Sequence, residues 1–204
     1  MHELQNRTLK TTAEDTSDME KNIVIFKWNP AISSYTMLDF LIAIDRKETQ
    51  GNWSVWDYDR IKKGDQCFLL KVGCGVTGIV KAGTITSAPY SSADWSGQGR
   101  KVYYVDFKET VLVNPDTLPI LDSTTLEENI PDFDWRKGHS GVILDEMQAS
   151  IFQRLWDGYL LQNVPVFQDR LERIASRGME NDQLYIEPKK WRELRQKQNE
   201  SQGE

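Results

Sequence analysis

The chain has 204 residues, of which 39% are hydrophobic, 10% aromatic and 27% charged, with a net charge of −6. That is the composition of one globular domain with tails; it excludes a collagen-like chain, a fully disordered chain and a disulfide-rich knot. The acidic balance excludes a strongly basic nucleic-acid coat but not local basic patches, and no apolar run reaches the roughly 18 residues of a membrane helix.

Residues 1–21 are polar and acidic, carry no signal-peptide core, and are expected to form a disordered tail on a cytoplasmic protein. A β-branched and aromatic run over 22–28 predicts the first strand, ended by Asn29-Pro30. Ser33 and Ser34 can cap a helix over 35–44, with Met37, Phe40, Leu41 and Ile44 as its apolar stripe. Residues 49–56 read as a loop with two tryptophans. Gly64-Asp65 is a turn signal before a strand over 66–72, and Gly73 to Gly75 is a tight connection into a strand over 77–86.

A polar loop over 89–99 follows, then a long strand over 102–113 with Val105, Phe107, Val111 and Val113 on one face. Glu109 breaks that apolar set, so a bulge or an exposed stretch is expected there. Residues 115–138 are turn-rich, with room for a short helix near 126–130. A last strand over 141–144 and a helix from Asp145 to about Leu161 close the domain. Two short helical patterns follow Pro165, one of them opened by Pro188. The organisation is therefore a tail over 1–21, a domain over 22–162 and a helical extension over 163–204. Several strands with short connections favour antiparallel pairing and an α+β, partly open β-barrel with flanking helices.

The ordinary chemical motifs fail one by one. Gly73-Cys-Gly-Val-Thr-Gly78 matches G-x-G-x-x-G, but a strand follows it, not the helix whose N–H groups would hold a pyrophosphate; it reads as a glycine-rich turn. His139 and Ser140 are adjacent, so in extended chain they point opposite ways and make a poor base and nucleophile. Two cysteines, Cys67 and Cys74, with His2 and His139, cannot supply a structural zinc site, and two buried thiols are expected. Asp57, Asp59 and Asp65 could gather a hard cation but read more simply as solvated surface. No catalytic residue, metal or cofactor is assigned.

The tryptophans say more. Trp28 and Trp156 sit in a strand and on a helix stripe and are expected in the core. Trp53, Trp56, Trp95 and Trp135 fall among Gly, Ser, Asn and Asp, where an indole either folds back on the core or lines a site. Arg60, Lys62 and Lys63 follow Trp56, Arg100 and Lys101 follow Trp95, and Arg136 and Lys137 follow Trp135. Aromatics beside cations suit a nucleic acid, which offers bases to stack and phosphates to pair.

Asn52-Trp53-Ser54, Lys62-Lys63-Gly64-Asp65, the strand Gln66 to Val72 and the strand Gly78 to Thr86 together resemble the PUA-like superfamily, nearest its EVE domains, with YTH and ASCH domains as relatives. The resemblance spans about 22–160. It implies a small, partly open β-barrel with flanking helices that holds a modified base in an aromatic pocket. It also implies a partner nucleic acid, DNA before RNA, and a nuclease acting beside the module. Carried onto this sequence, it points to Trp53, Ser54 and Trp95 as pocket residues and to Ser34 and Tyr35 near them; Trp56, Trp135, His139 and Ser140 are further candidates. Arg60, Lys62, Lys63, Arg100 and Lys101 are candidate phosphate contacts. The competing expectations are a small-molecule binder or hydrolytic enzyme on the same fold, and an interaction protein working through the helices after Pro165.

Overall fold

The computed structural model describes residues 21–46, 48–116 and 119–163 and the backbone of 184–185. Strand β1 (Ile23–Trp28) leads to helix α1 (Met37–Arg46), then β2 (Gln50–Val55), β3 (Gln66–Lys71), β4 (Gly78–Ile85), β5 (Tyr90–Ser92) and β6 (Val102–Leu112). Short β7 (Leu121–Asp122) runs into helix α2 (Ser123–Asn129), and β8 (Val142–Ile143) precedes helix α3 (Glu146–Gln162); β9 is Leu184–Tyr185. One sheet has the order β2-β6-β4-β3-β1-β8, with β5 on β6, β7 on β4 and β9 on β6.

Most pairs are antiparallel, as the short connections predict, but β1 and β3 are parallel, with Phe26 opposite Leu69. The helix and strand between them make the crossover that a parallel pair needs. Two further strands correct the sequence reading. Gln50–Val55 is a strand, not a loop, and Tyr90–Ser92 forms a short strand inside a predicted loop. Both lie along β6, whose 11-residue length offers a free edge to each. The register between β4 and β6 shifts at Ala82/Gly83, opposite Glu109, so the irregularity there is a bulge; Glu109 is buried, not exposed.

The sheet curls until its edges approach. Phe26 on β1 meets Phe107 on β6 at 5.5 Å and Trp53 on β2 at 6.4 Å between ring centroids, although neither strand neighbours β1. The segment 139–143 closes the gap between β1 and β2. Gly141 donates its N–H to Ile25, and the Trp56 and Asp57 N–H groups both donate to the Gly141 carbonyl. Gly141 has φ +72°, and a Cβ there would lie 2.4 Å from Val55 Cα, so only glycine fits this close approach. The carboxylate of Asp57 accepts the Ile143 N–H at 2.9 Å and pairs with Arg60 at 2.8 Å.

On the outer face, α3 packs Phe152 and Trp156 edge-on against Phe68 of β3. Trp28 and Trp156 are buried, as expected. Helix α3 begins with a capping box: the Asp145 carboxylate accepts the Gln148 N–H at 2.8 Å and the Gln148 side chain accepts the Asp145 N–H at 3.1 Å. Asp145→Ala should cost about 1 kcal/mol, read as a lower thermal midpoint, with Asp145→Ser recovering most of it. Among the described residues no helix is long and apolar enough to cross a membrane. The predicted tail over 1–20 and the two helical patterns after Pro165 lie outside the described residues.

Candidate functional site

Trp53 stands on β2 directly opposite Val105 of β6, so its indole faces the barrel interior, while Ser54, opposite Tyr104, faces outward. The indole is half-buried. Its Nε1–H donates to Ser140 Oγ at 2.8 Å, and the same oxygen accepts the Lys27 N–H at 2.9 Å. One hydroxyl therefore ties the indole to the closing segment and the closing segment to β1. Tyr35, in the loop between β1 and α1, meets Trp53 edge-on at 6.0 Å and 86°. It is held from behind by Trp28, whose Nε1–H donates to the Tyr35 carbonyl at 2.6 Å.

Beneath Tyr35 lies a buried ion pair. Lys81 Nζ donates to Glu109 Oε1 at 2.5 Å and to the Tyr35 hydroxyl at 3.2 Å, and it sits over the Tyr35 and Phe40 rings. Glu109 Oε2 is enclosed and has no hydrogen-bond partner. Burial pushes the Glu109 carboxyl and the Tyr35 phenol above their ordinary values, with Lys81 pulling both back. The phenol thus keeps its proton at neutral pH. Burial also draws the Lys27 amine down, opposed by Asp134.

At the rim, Trp56 is 57% exposed and stacks flat on His139, at 3.5 Å and 3°. Tyr58 stacks on Tyr103 at 3.7 Å and 9°, with Lys101 Nζ over the Tyr103 ring at 5.1 Å. His139 and Ser140 diverge as adjacent residues should, one to the surface stack and one to Trp53.

The structure thus brings Trp53, Tyr35 and Ser140 into one recess, with Trp56 and His139 beside it. Ser34 is exposed on the loop before Tyr35. Trp95 is elsewhere: its N–H donates to the hydroxyl of Tyr104, which belongs to the outer face of β6, and no contact joins it to Trp53 among the described residues. Trp135 is a correction. It is 1% exposed, its Nε1–H donates to the Ile130 carbonyl at 2.9 Å, and Phe133 and Phe152 cover its ring, so it is core and offers a ligand no face.

Of the basic candidates, Lys62, Lys63 and Lys101 are exposed, while Arg60 pairs with Asp57 and Arg100 with Asp94. Cys67 is a buried thiol, as expected, with burial pushing it up; Cys74 is exposed, which corrects the expectation of two buried thiols. Asp65 is a structural knot, accepting from the backbone and side chain of Asn22 and from the Lys62 N–H. Among the described residues no group of three or more His, Cys, Asp or Glu is placed to hold a metal ion.

Residues that sequence reasoning did not select are Lys81, Glu109, Tyr58 and Tyr103. The first two had a signal: each is a lone charge interrupting an apolar strand run, and the signs are opposite.

The fold and this recess define a small α+β domain with a partly open barrel and an aromatic-walled mouth. No protein-family model matches the chain, and no curated protein matches it. Among solved structures it is similar to a hypothetical protein from Leishmania major, at a TM-score of 0.46 and 11% identity, covering 69% of this chain and 97% of that one. It is also similar to the human THYN1 protein in complex with 5-methylcytosine-containing DNA, at a TM-score of 0.43 and 14% identity, covering 66% and 97%. The Mmi1 YTH domain in complex with RNA aligns at a TM-score of 0.43 and 13% identity, covering 70% and 81%.

Proposed function

We propose that this chain is a non-enzymatic reader that binds nucleic acid, DNA in preference to RNA, and takes one methylated base against Trp53. The observation that carries the reading is the half-buried indole of Trp53, pinned through Nε1 to Ser140 and walled by Tyr35, next to the exposed Trp56–His139 stack. An indole used only for packing does not need a polar neighbour that also closes the barrel. The motifs around Trp53 and Gly64-Asp65, which resemble those of EVE and YTH domains, support the same reading.

In this reading the base leaves its stack at a cost of a few kcal/mol, and stacking on the aromatics returns about 1–3 kcal/mol. Trp53, Tyr35 and Ser140 contact the base. Ser34, Trp56 and His139 border its entry, and Ser54 and Trp95 meet the nucleic acid outside the recess. Arg60, Lys62, Lys63, Arg100 and Lys101 pair with phosphates, which adds affinity that falls with salt and ignores sequence. A methyl group in an apolar pocket contributes only about 1–3 kcal/mol, so selectivity over the unmodified base is modest, about 10–200-fold. A module of this kind works beside a nuclease supplied by another chain.

The test is a titration at low salt, followed by tryptophan fluorescence. Matched duplex and single-stranded oligonucleotides carry cytosine, 5-methylcytosine, 5-hydroxymethylcytosine, adenine or N6-methyladenine at one position. A response favouring one modified base by about tenfold or more is expected. Equal responses to all, or none, would overturn the reading.

A further inference from the structure

The hydrogen bonds around Trp53 use up one half of each hydroxyl that borders it. Ser140 Oγ accepts from the Lys27 N–H and from the Trp53 Nε1–H, which occupies both of its lone pairs. The Tyr35 hydroxyl accepts from the Lys81 ammonium. Neither O–H donates to any acceptor among the described residues. The acceptors nearby are committed: the Ser140 carbonyl takes the Trp56 N–H, and the Tyr35 carbonyl takes the Trp28 indole. Glu109 Oε2 has no donor, but the residue is 2% exposed and out of a ligand's reach. The wall beside Trp53 therefore offers two hydrogen-bond donors and no free acceptor.

We propose that this wall selects the base by its acceptors, and that the base it takes is a modified cytosine and not a modified adenine. The inference rests on the nucleic-acid reading above. A cytosine turned into the recess shows two adjacent acceptors, O2 and N3, on its pairing edge. An adenine shows one acceptor, N1, flanked by an N6 amino donor, which would face an O–H that cannot accept it. A donor forced against a donor loses the hydrogen bond of both groups, whereas each matched pair contributes about tenfold in affinity. Lys81 and Glu109 hold the Tyr35 oxygen as an acceptor on their side, so the phenol proton is left for the ligand.

The experiment uses the full chain and four single-stranded oligonucleotides that differ at one position. They carry 5-methylcytosine, its 3-deaza analogue (no N3 acceptor), its 2-thio analogue (a weak acceptor at position 2) and N6-methyladenine. 5-Methylcytosine should bind at least tenfold more tightly than N6-methyladenine, and each analogue should lose about tenfold. Tyr35→Phe keeps the ring packed on Trp53 and Trp28 and removes only the hydroxyl; in that variant one of the two analogue penalties should vanish and the other remain. This second readout does not depend on Ser140, whose removal strands the Trp53 and Lys27 N–H groups and threatens folding. Tighter binding of N6-methyladenine, analogues that bind like the parent, or both penalties surviving in Tyr35→Phe would each overturn the inference alone. No binding of any of the four overturns the nucleic-acid reading together with it.

Discussion

Trp53→Ala should weaken binding of a methylated oligonucleotide by about 10–100-fold while changing the affinity for the unmethylated strand by less than threefold. The larger figure follows from loss of a stacking surface that contributes about 1–3 kcal/mol per base. The small effect on the unmethylated strand follows because phosphate contacts at Lys62, Lys63 and Lys101 are untouched, and these are exposed and far less dependent on the recess. Trp53→Phe should fall between the two, since a phenyl ring still stacks but leaves the Ser140 hydroxyl without its indole donor. Isothermal titration with paired strands reads the ratio. Equal losses on both strands would remove Trp53 from base recognition and leave it a packing residue.

Lys81→Met should produce the largest stability loss of any single change in the barrel interior, about 3–5 kcal/mol, because it leaves Glu109 a buried charge without a counter-ion. The sign of its pH dependence is fixed by burial. The Glu109 carboxyl is already pushed up by desolvation and held back by Lys81; without Lys81 it rises further. An acid whose folded value is raised contributes its stability below the unfolded carboxylate value, and that stability is lost as pH rises through the folded value. The deficit of Lys81→Met should therefore shrink towards pH 4.5 and be full at pH 8. Thermal midpoints of wild type, Lys81→Met and Lys81→Met/Glu109→Leu across that range check it, with the double variant recovering most of the loss at pH 8. A deficit independent of pH would mean that Glu109 is not charged in the variant.

Much of this barrel could be read from residue patterns. The runs 22–28, 66–72 and 102–113 are rich in β-branched and aromatic residues, and each became a strand within a residue or so of its predicted ends. Asp145 followed three residues later by Gln148 marked the start of α3. β2 was hidden because Gln50, Gly51 and Asn52 are poor strand formers; what makes them a strand is the free edge of β6, a partner more than fifty residues away. Trp135 was misplaced for a related reason. Its neighbours Asp132, Asp134 and Gly138 spell a surface turn, yet the turn folds under α3, and the Ile130 carbonyl supplies the partner that lets the indole be buried. At the candidate site, Trp53 and Tyr35 were legible as aromatics near turns. The role of Ser140 was not, because it depends on two hydrogen bonds to residues 87 and 113 positions away.

Those long separations also order events during synthesis. The Ser140 hydroxyl that ties Trp53 to Lys27 leaves the ribosome 113 residues after Lys27 and 87 after Trp53, so a nascent chain can pair β3 with β4 but cannot yet hold the recess. Until the segment 139–143 arrives, β1 and β2 are unzipped and the Trp53 indole has only water for a partner. Ligand competence is therefore the last property the domain acquires, and it arrives in the same step that shuts the barrel.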